Sequence, residues 1–205
     1  MAVSDARSVK RLHETALRLY AERGVNPLSV SELAEAAGVA RGTIYNNLSS
    51  PETLFEQVAT QLSREMHQRI TKTSVSVKDP ARRLANGIRF YIRRAHEDPL
   101  WGRFIVRFAH SNETLQELLS GPPAADLTDG IRVDRFQIRE DQLVTVLGLV
   151  AGACLSGMIA VLEGRQTWRE AGSEIAGFVL RALGIKPKEA IAISTAELPP
   201  LLPGA

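Results

Sequence analysis

SVSELAEAAGVARGTIYNNL, residues 29–48, is the stretch whose reading decides the fold. Ser29 and Glu32 stand three apart, the spacing at which each side chain bonds the other's backbone N–H, so a helix is expected to open at about Val30. Leu33, Ala34 and Ala37 then share one helical face. Gly38 falls where a glycine with φ > 0 ends a helix. Val39 gives a buried anchor in the turn, and Arg41 to Asn47 is expected to form a second short helix carrying Ile44. Ala34 has to be small, because a larger side chain would hold that second helix away from the first. Two short helices joined by a glycine turn are a helix-turn-helix. The outer face of the second helix is polar, with Arg41, Thr43, Tyr45, Asn46 and Asn47. Such a face suits the major groove, where it donates hydrogen bonds to base edges and phosphates. The other reading is a surface hairpin whose polar face is simply solvated.

Working outward, residues 1–7 read as a short arm. Val9, Leu12, Ala16 and Tyr20 recur at helical spacing and predict a first helix from about Ser8 to Glu22, stopped by Arg23-Gly24 and turned by Asn26-Pro27. Ser50-Pro51 is a further start signal. Beyond it Leu54, Phe55, Val58, Leu62, Met66 and Ile70 continue one face for about five turns. A helix of that length is expected to link a small headpiece to the next domain.

The window from Arg11 to Phe55, RLHETALRLYAERGVNPLSVSELAEAAGVARGTIYNNLSSPETLF, resembles the N-terminal domain of the tetracycline-repressor (TetR) family. The matching features are Ala16, Leu19 or Tyr20, the Glu22-Arg23-Gly24 turn, Ser29-Val30, Ile44-Tyr45 and a fourth helix starting beside Pro51. The resemblance covers about 45 residues and implies a homodimeric, ligand-responsive transcription regulator, usually a repressor. It implies double-stranded operator DNA as partner, with Ser29, Ser31, Arg41, Gly42, Thr43, Tyr45, Asn46 and Asn47 at the contact. Three positions depart from the family's habit: Asn47 where His is frequent, Leu48 for Phe, and Pro51 for a phosphate-contacting Lys. A basic residue is also frequent near Ser31. From Ser29 to Phe55 the only cation is Arg41, so modest affinity and a shallow salt slope are expected, with Arg7, Lys10 and Arg11 sharing the backbone contacts.

The chain has 205 residues, 25 basic and 23 acidic, for a net charge of +2. That balance argues neither for nor against nucleic acid. The single cysteine, Cys154, lies in an apolar run; it permits no intrachain disulfide and fits a reducing cytoplasm. It reads as a small buried hydrophobe, with a redox sensor as the alternative. MAVSDARSVKRL lacks the apolar run of a secretory signal.

Lys72 to Lys78 reads as a polar loop and domain boundary. Asp79-Pro80 and Asp98-Pro99 each start a helix, and a seventh helix is expected from Glu113 to Leu119. Gly121-Pro122-Pro123 through Gly130 reads as an irregular loop. Leu143 to Leu162 is free of charge and long enough to cross a membrane. Its glycines, Thr145 and Ser156, the lack of an aromatic belt, and a whole-chain mean hydropathy of −0.06 favour a core helix buried on two sides instead. Trp168 to Leu183 is the last expected helix, followed by a proline-rich, extended tail. The resemblance implies that the last two long helices pair with their twins in a dimer bundle. The expected fold is therefore all-α with about nine helices. Residues 1–50 form a three-helix helix-turn-helix domain, 51–72 a connecting helix, 73–184 a ligand-binding and dimerisation domain, and 185–205 a tail.

Enzyme constellations are absent from the sequence. His13, His67, His96 and His110 have no metal-ligand spacing, and no Gly-x-Ser-x-Gly elbow or phosphate loop occurs, so neither catalysis, metal nor cofactor is expected. Phe90, Tyr91, Trp101, Phe104, Phe108 and Phe136, with His67 and His110, fit an apolar cavity with few polar groups, and a hydrophobic or aromatic effector. The plain alternative is that these rings fill the core. The function expected from these readings is an operator-binding repressor released by its effector. The competing reading, a helical ligand-binding or scaffolding protein with a weakened headpiece, draws on the scarcity of cations. A membrane-anchored regulator is a third.

Overall fold

Helices α1 (Ala2–Arg23), α2 (Val30–Ala37), α3 (Arg41–Asn47), α4 (Leu54–Ser74), α5 (Pro80–Glu97), α6 (Pro99–Phe108), α7 (Glu113–Arg132), α8 (Leu143–Leu162), α9 (Trp168–Ala182) and α10 (Pro187–Thr195) make up the protein, with one 3-10 turn at Glu140–Gln142. The computed structural model describes the backbone of residues 2–23, 29–47, 54–109 and 113–203, and the side chains of 11–22, 29–45, 54–109 and 121–203. No strand occurs among the described residues, and the class is all-α as expected, with ten α-helices in place of about nine. The start signal at Ser50-Pro51 and the Asn26-Pro27 turn lie outside the described residues.

Three expectations are corrected. The chain is helical from Ala2, so residues 2–7 are the first turns of α1 and not an arm. α7 does not stop at Leu119: it continues through Pro122 and Pro123 to Arg132, although each proline withholds an N–H from the ladder. The segment after Ile185 is not wholly extended, because Pro187 opens α10.

Two compact units divide between Leu62 and Ser63, within α4. In the first, Leu12, Ala16, Leu19 and Tyr20 of α1 are buried with Leu33, Ala34 and Ala37 of α2, Ile44 of α3, and Leu54 and Val58 of α4. The Tyr20 ring meets Phe55 edge-on at 5.2 Å, and His13 Nδ1 hydrogen-bonds Gln61 Oε1, tying α1 to α4.

In the second unit α5 is the central helix, packed by α6, α7, α8, α9 and α10. Asp79 caps it by accepting from Ala81 N at 3.0 Å, and the Asp79 carboxylate also receives Arg135, which in turn reaches Glu189 of α10. A helix enclosed on so many sides is nearly all buried, and its charged groups need partners. Arg94 has them: its Nη1 donates to Glu65 Oε1 of α4 at 3.1 Å, and its guanidinium lies 4.7 Å from the centre of the Trp101 ring. Asp98 caps α6 through Trp101 N, and Gly102 lets α6 close on α5, since a Cβ there would stand 3.0 Å from Ala95 Cα.

α8 is long and apolar enough to cross a membrane, by length and composition alone. It is packed against α5, α6, α7 and α9 of its own unit. Val144, Thr145, Gly148, Leu149, Gly152 and Ser156 run exposed along one side of it.

Candidate nucleic-acid interface and internal cavity

Local chemistry sets the helix-turn-helix. Ser29 Oγ accepts from Glu32 N at 3.2 Å while Glu32 Oε2 accepts from Ser29 N at 3.0 Å, which closes the capping box reciprocally. Gly38 takes φ 62°, ψ 41°, and the N–H groups of Gly38 and Val39 return to the carbonyls of Glu35 and Ala34. That pairing ends α2 sharply and needs a residue without Cβ at the turn. Arg11 of α1 reaches the Gly38 carbonyl at 3.4 Å, so the guanidinium expected at phosphates also braces the turn.

α3 is held by Ile44, fully buried, which fixes its inner face. Ser29, Ser31, Arg41, Gly42 and Tyr45 are exposed, and Tyr45 presents 65% of its surface. Thr43 is half-buried. The side chains of Asn46 and Asn47 lie outside the described residues, as do those of Arg7 and Lys10. Arg41 sits at the first position of a helix whose exposed face carries no other cation among the described residues.

The second unit encloses a cavity of about 20 Å³, bounded by Ile70 of α4, Leu84, Gly87, Ile88 and Tyr91 of α5, Pro122, Pro123 and Asp126 of α7, and Val150, Ala151 and Cys154 of α8. That is room for one or two waters. The walls are apolar except for the Tyr91 hydroxyl, the Cys154 thiol and the Asp126 carboxyl. Burial raises the Tyr91 hydroxyl well above the usual phenol range, pushes the Cys154 thiol up to about 12, and raises Asp126 against the opposing pull of Arg83.

The residues expected to bind ligand are mostly elsewhere. Only Tyr91 lines the cavity. Phe90, Trp101, Phe104 and Phe108 are core, with the rings of Phe104 and Phe108 5.1 Å apart. Phe136 is buried over Gly130, where an added Cβ would lie 2.0 Å from its Cδ2. His67 packs against Gly121 and does not line the cavity, and His110 lies outside the described residues. The aromatic rings went to the core because they bury the most apolar area. The cavity is instead lined in part by small residues, Gly87 of α5 and Ala151 and Cys154 of α8. The one signal that could have marked it is Asp126, an acid four residues after Pro122 in an otherwise apolar stretch.

Residues 12–58 match the model of the bacterial regulatory proteins of the tetR family, and residues 79–196 match that of the tetracyclin repressor-like C-terminal domain. The HTH-type transcriptional repressor AcnR of Corynebacterium glutamicum is 26% identical over 162 residues, 76% of this chain and 81% of its own. An HTH-type transcriptional regulator of Mycobacterium tuberculosis is 29% identical over 89 residues, 43% of this chain and 44% of its own, so the chain spans less than half the length of that relative. Among solved structures, RolR in complex with its ligand resorcinol is similar with a TM-score of 0.72 and 26% identity, over 98% of this chain and 100% of that one.

Proposed function

The chain belongs to the tetR family of bacterial regulatory proteins, and from that premise we propose that it is a cytoplasmic repressor that binds a palindromic operator as a homodimer and releases it when a small, largely apolar molecule enters the second unit. Members of the family are transcription factors, and the chain is not an enzyme. The observation that carries the proposal is α3: one buried anchor, Ile44, behind an exposed face of Arg41, Gly42 and Tyr45, set by a capped α2 and a left-handed Gly38. Arg41 reads guanine, and Ser29, Ser31, Thr43, Tyr45, Asn46 and Asn47 contact phosphates and neighbouring base edges.

The effector enters the cavity, where the likeness to resorcinol-bound RolR supports a phenol-sized molecule. Ile70 makes α4 part of the cavity wall, and α4 is continuous from there back to Leu54 in the first unit. A ligand larger than the cavity displaces its walls, α4 among them, and so favours one α4 position over another. Two copies pair through α8 and α9, whose exposed residues include Leu149 at 49% and Phe178 at 64%, apolar surface that a second copy covers.

The test is fluorescence anisotropy with duplex from the protein's own upstream region and with random duplex, at two salt concentrations. Arg41→Ala weakens the upstream duplex by about 1–3 kcal/mol, or roughly 5- to 150-fold, and random duplex far less. Equal loss on both makes Arg41 a phosphate contact only. The second reading, a helical ligand-binding or scaffolding protein with a weakened headpiece, is favoured by Arg41 being the only cation from Ser29 to Phe55. Absence of binding to the upstream duplex even at low salt would establish it.

A further inference from the structure

Asp126 is the one charged residue on the cavity wall, and its surroundings fix what it can still do. Its Oδ1 accepts from Arg83 Nε at 2.5 Å. Arg83 is otherwise committed: Nη2 donates to Asp129 Oδ2 at 2.8 Å, and Nη1 donates to the carbonyls of Val77 at 3.2 Å and Lys78 at 3.0 Å. Four of its five N–H groups are therefore engaged. Arg132 completes the group by donating to Asp129 Oδ1, so two carboxylates face two guanidiniums and the cluster is balanced in charge. Asp126 Oδ2 accepts no hydrogen bond from any described residue, while the side chain keeps 14% of its surface accessible.

On this basis we propose that the cavity, whose walls must move apart to admit anything larger than one or two waters, selects an electrically neutral molecule with an apolar, ring-sized body and an O–H group, which donates to Asp126 Oδ2 while the body rests on Leu84, Ile88 and Val150. The proposal rests on the reading of the cavity as the effector site. An anion is disfavoured because the lining charge it meets is Asp126 and Arg83 has almost no donor left to offer. A cation is disfavoured because Arg83, between the two carboxylates, and Arg132 on Asp129 already neutralise them. A neutral donor faces neither penalty and gains a bond to an ionised acceptor in a poorly solvated site, where such bonds are at their strongest.

The experiment is calorimetric titration of the full chain with phenol, anisole and benzoate, probes of one ring size that differ in donor and charge. The expected result is phenol at least ~10-fold tighter than anisole, as a hydrogen bond to a charged group predicts, with benzoate weaker than either. In Asp126→Ala the phenol–anisole ratio falls towards one; the wild-type ratio alone decides the question if that variant does not fold. Gly87→Leu is the control for location, since an added Cβ at Gly87 meets nothing within 4 Å and the longer side chain fills the cavity. Phenol and anisole binding alike, both abolished by Gly87→Leu, overturns the donor proposal and leaves the effector site where it is. Binding that Gly87→Leu does not change overturns the cavity as the site, and with it both readings. Benzoate binding tightest, or no binding of phenol at millimolar concentration, also overturns the proposal.

Discussion

One methyl group placed at two helical glycines should shift stability in opposite directions. Both Gly87 of α5 and Gly130 of α7 lie inside helices, where replacing glycine with alanine removes backbone entropy from the unfolded chain and gains about 0.5–1 kcal/mol. At Gly87 an added Cβ meets nothing within 4 Å, and the position is half-buried. Part of a methyl's burial, worth about 0.8 kcal/mol when complete, adds to the helix gain, for a total near 0.5–1.5 kcal/mol. At Gly130 the same Cβ would stand 2.0, 2.2 and 2.9 Å from Cδ2, Cε2 and Cγ of Phe136. Ordinary carbon contacts lie at about 3.5–4.0 Å, so the ring must retreat by more than ~1 Å. Phe136 is 2% exposed and its ring is rigid, so overpacking here belongs in the upper part of the usual range of about 1–3 kcal/mol. The net effect of Gly130→Ala is a loss of about 1–2 kcal/mol. Urea unfolding and thermal melts of the two variants and the parent measure both changes, with Tm moving by about 2–4 °C per kcal/mol for a chain of this size. Gly87→Ala melts highest and Gly130→Ala lowest. If both shift in the same direction by similar amounts, the glycine at 130 is not there to seat Phe136, and the reasoning fails.

Ile44→Ala removes the only buried side chain among the described residues of α3 and costs about 2–5 kcal/mol locally, whereas Ile44→Val costs about 0.5–1.5 kcal/mol. A helix of seven residues has little stability of its own, so hydrogen exchange at 41–47 accelerates sharply in the alanine variant; unchanged exchange there would mean that something else holds the helix. Cys154 is buried, and its thiol is raised from 9.0 to about 12, which lowers the thiolate fraction near pH 8 by about 10³. Iodoacetamide therefore labels the native protein at least that much more slowly than the protein in guanidinium, and equal rates would show the thiol to be open to solvent.

The sequence alone determined the headpiece, because its signals are local. Ser29 and Glu32 cap each other across one turn, Gly38 takes the left-handed geometry its lack of a side chain allows, and Ile44 is the aliphatic residue that anchors its helix. Each of these is decided within five residues of chain, so reading along the chain suffices. Pro122 and Pro123 misled for the opposite reason: locally they oppose a helix, yet α7 runs through them because packing on α5 and α8 outweighs the lost ladder bonds. α10 was missed for a similar reason, a short segment with a proline start whose Ala190 and Ile193 become apolar core only where α9 and α5 receive them. The charge-free run from Leu143 to Leu162 is long enough for a membrane, but its glycines, Thr145 and Ser156 already favour a core; the tertiary structure adds the four helices of its own unit that it packs against. The cavity belonged to tertiary structure alone. Large rings announce themselves in a sequence and fill space, whereas a cavity forms where Gly87, Ala151 and Cys154, far apart in the chain, leave space unfilled beside Asp126. Which side chains fail to reach one another depends on how four helices are placed, and no local pattern carries that information.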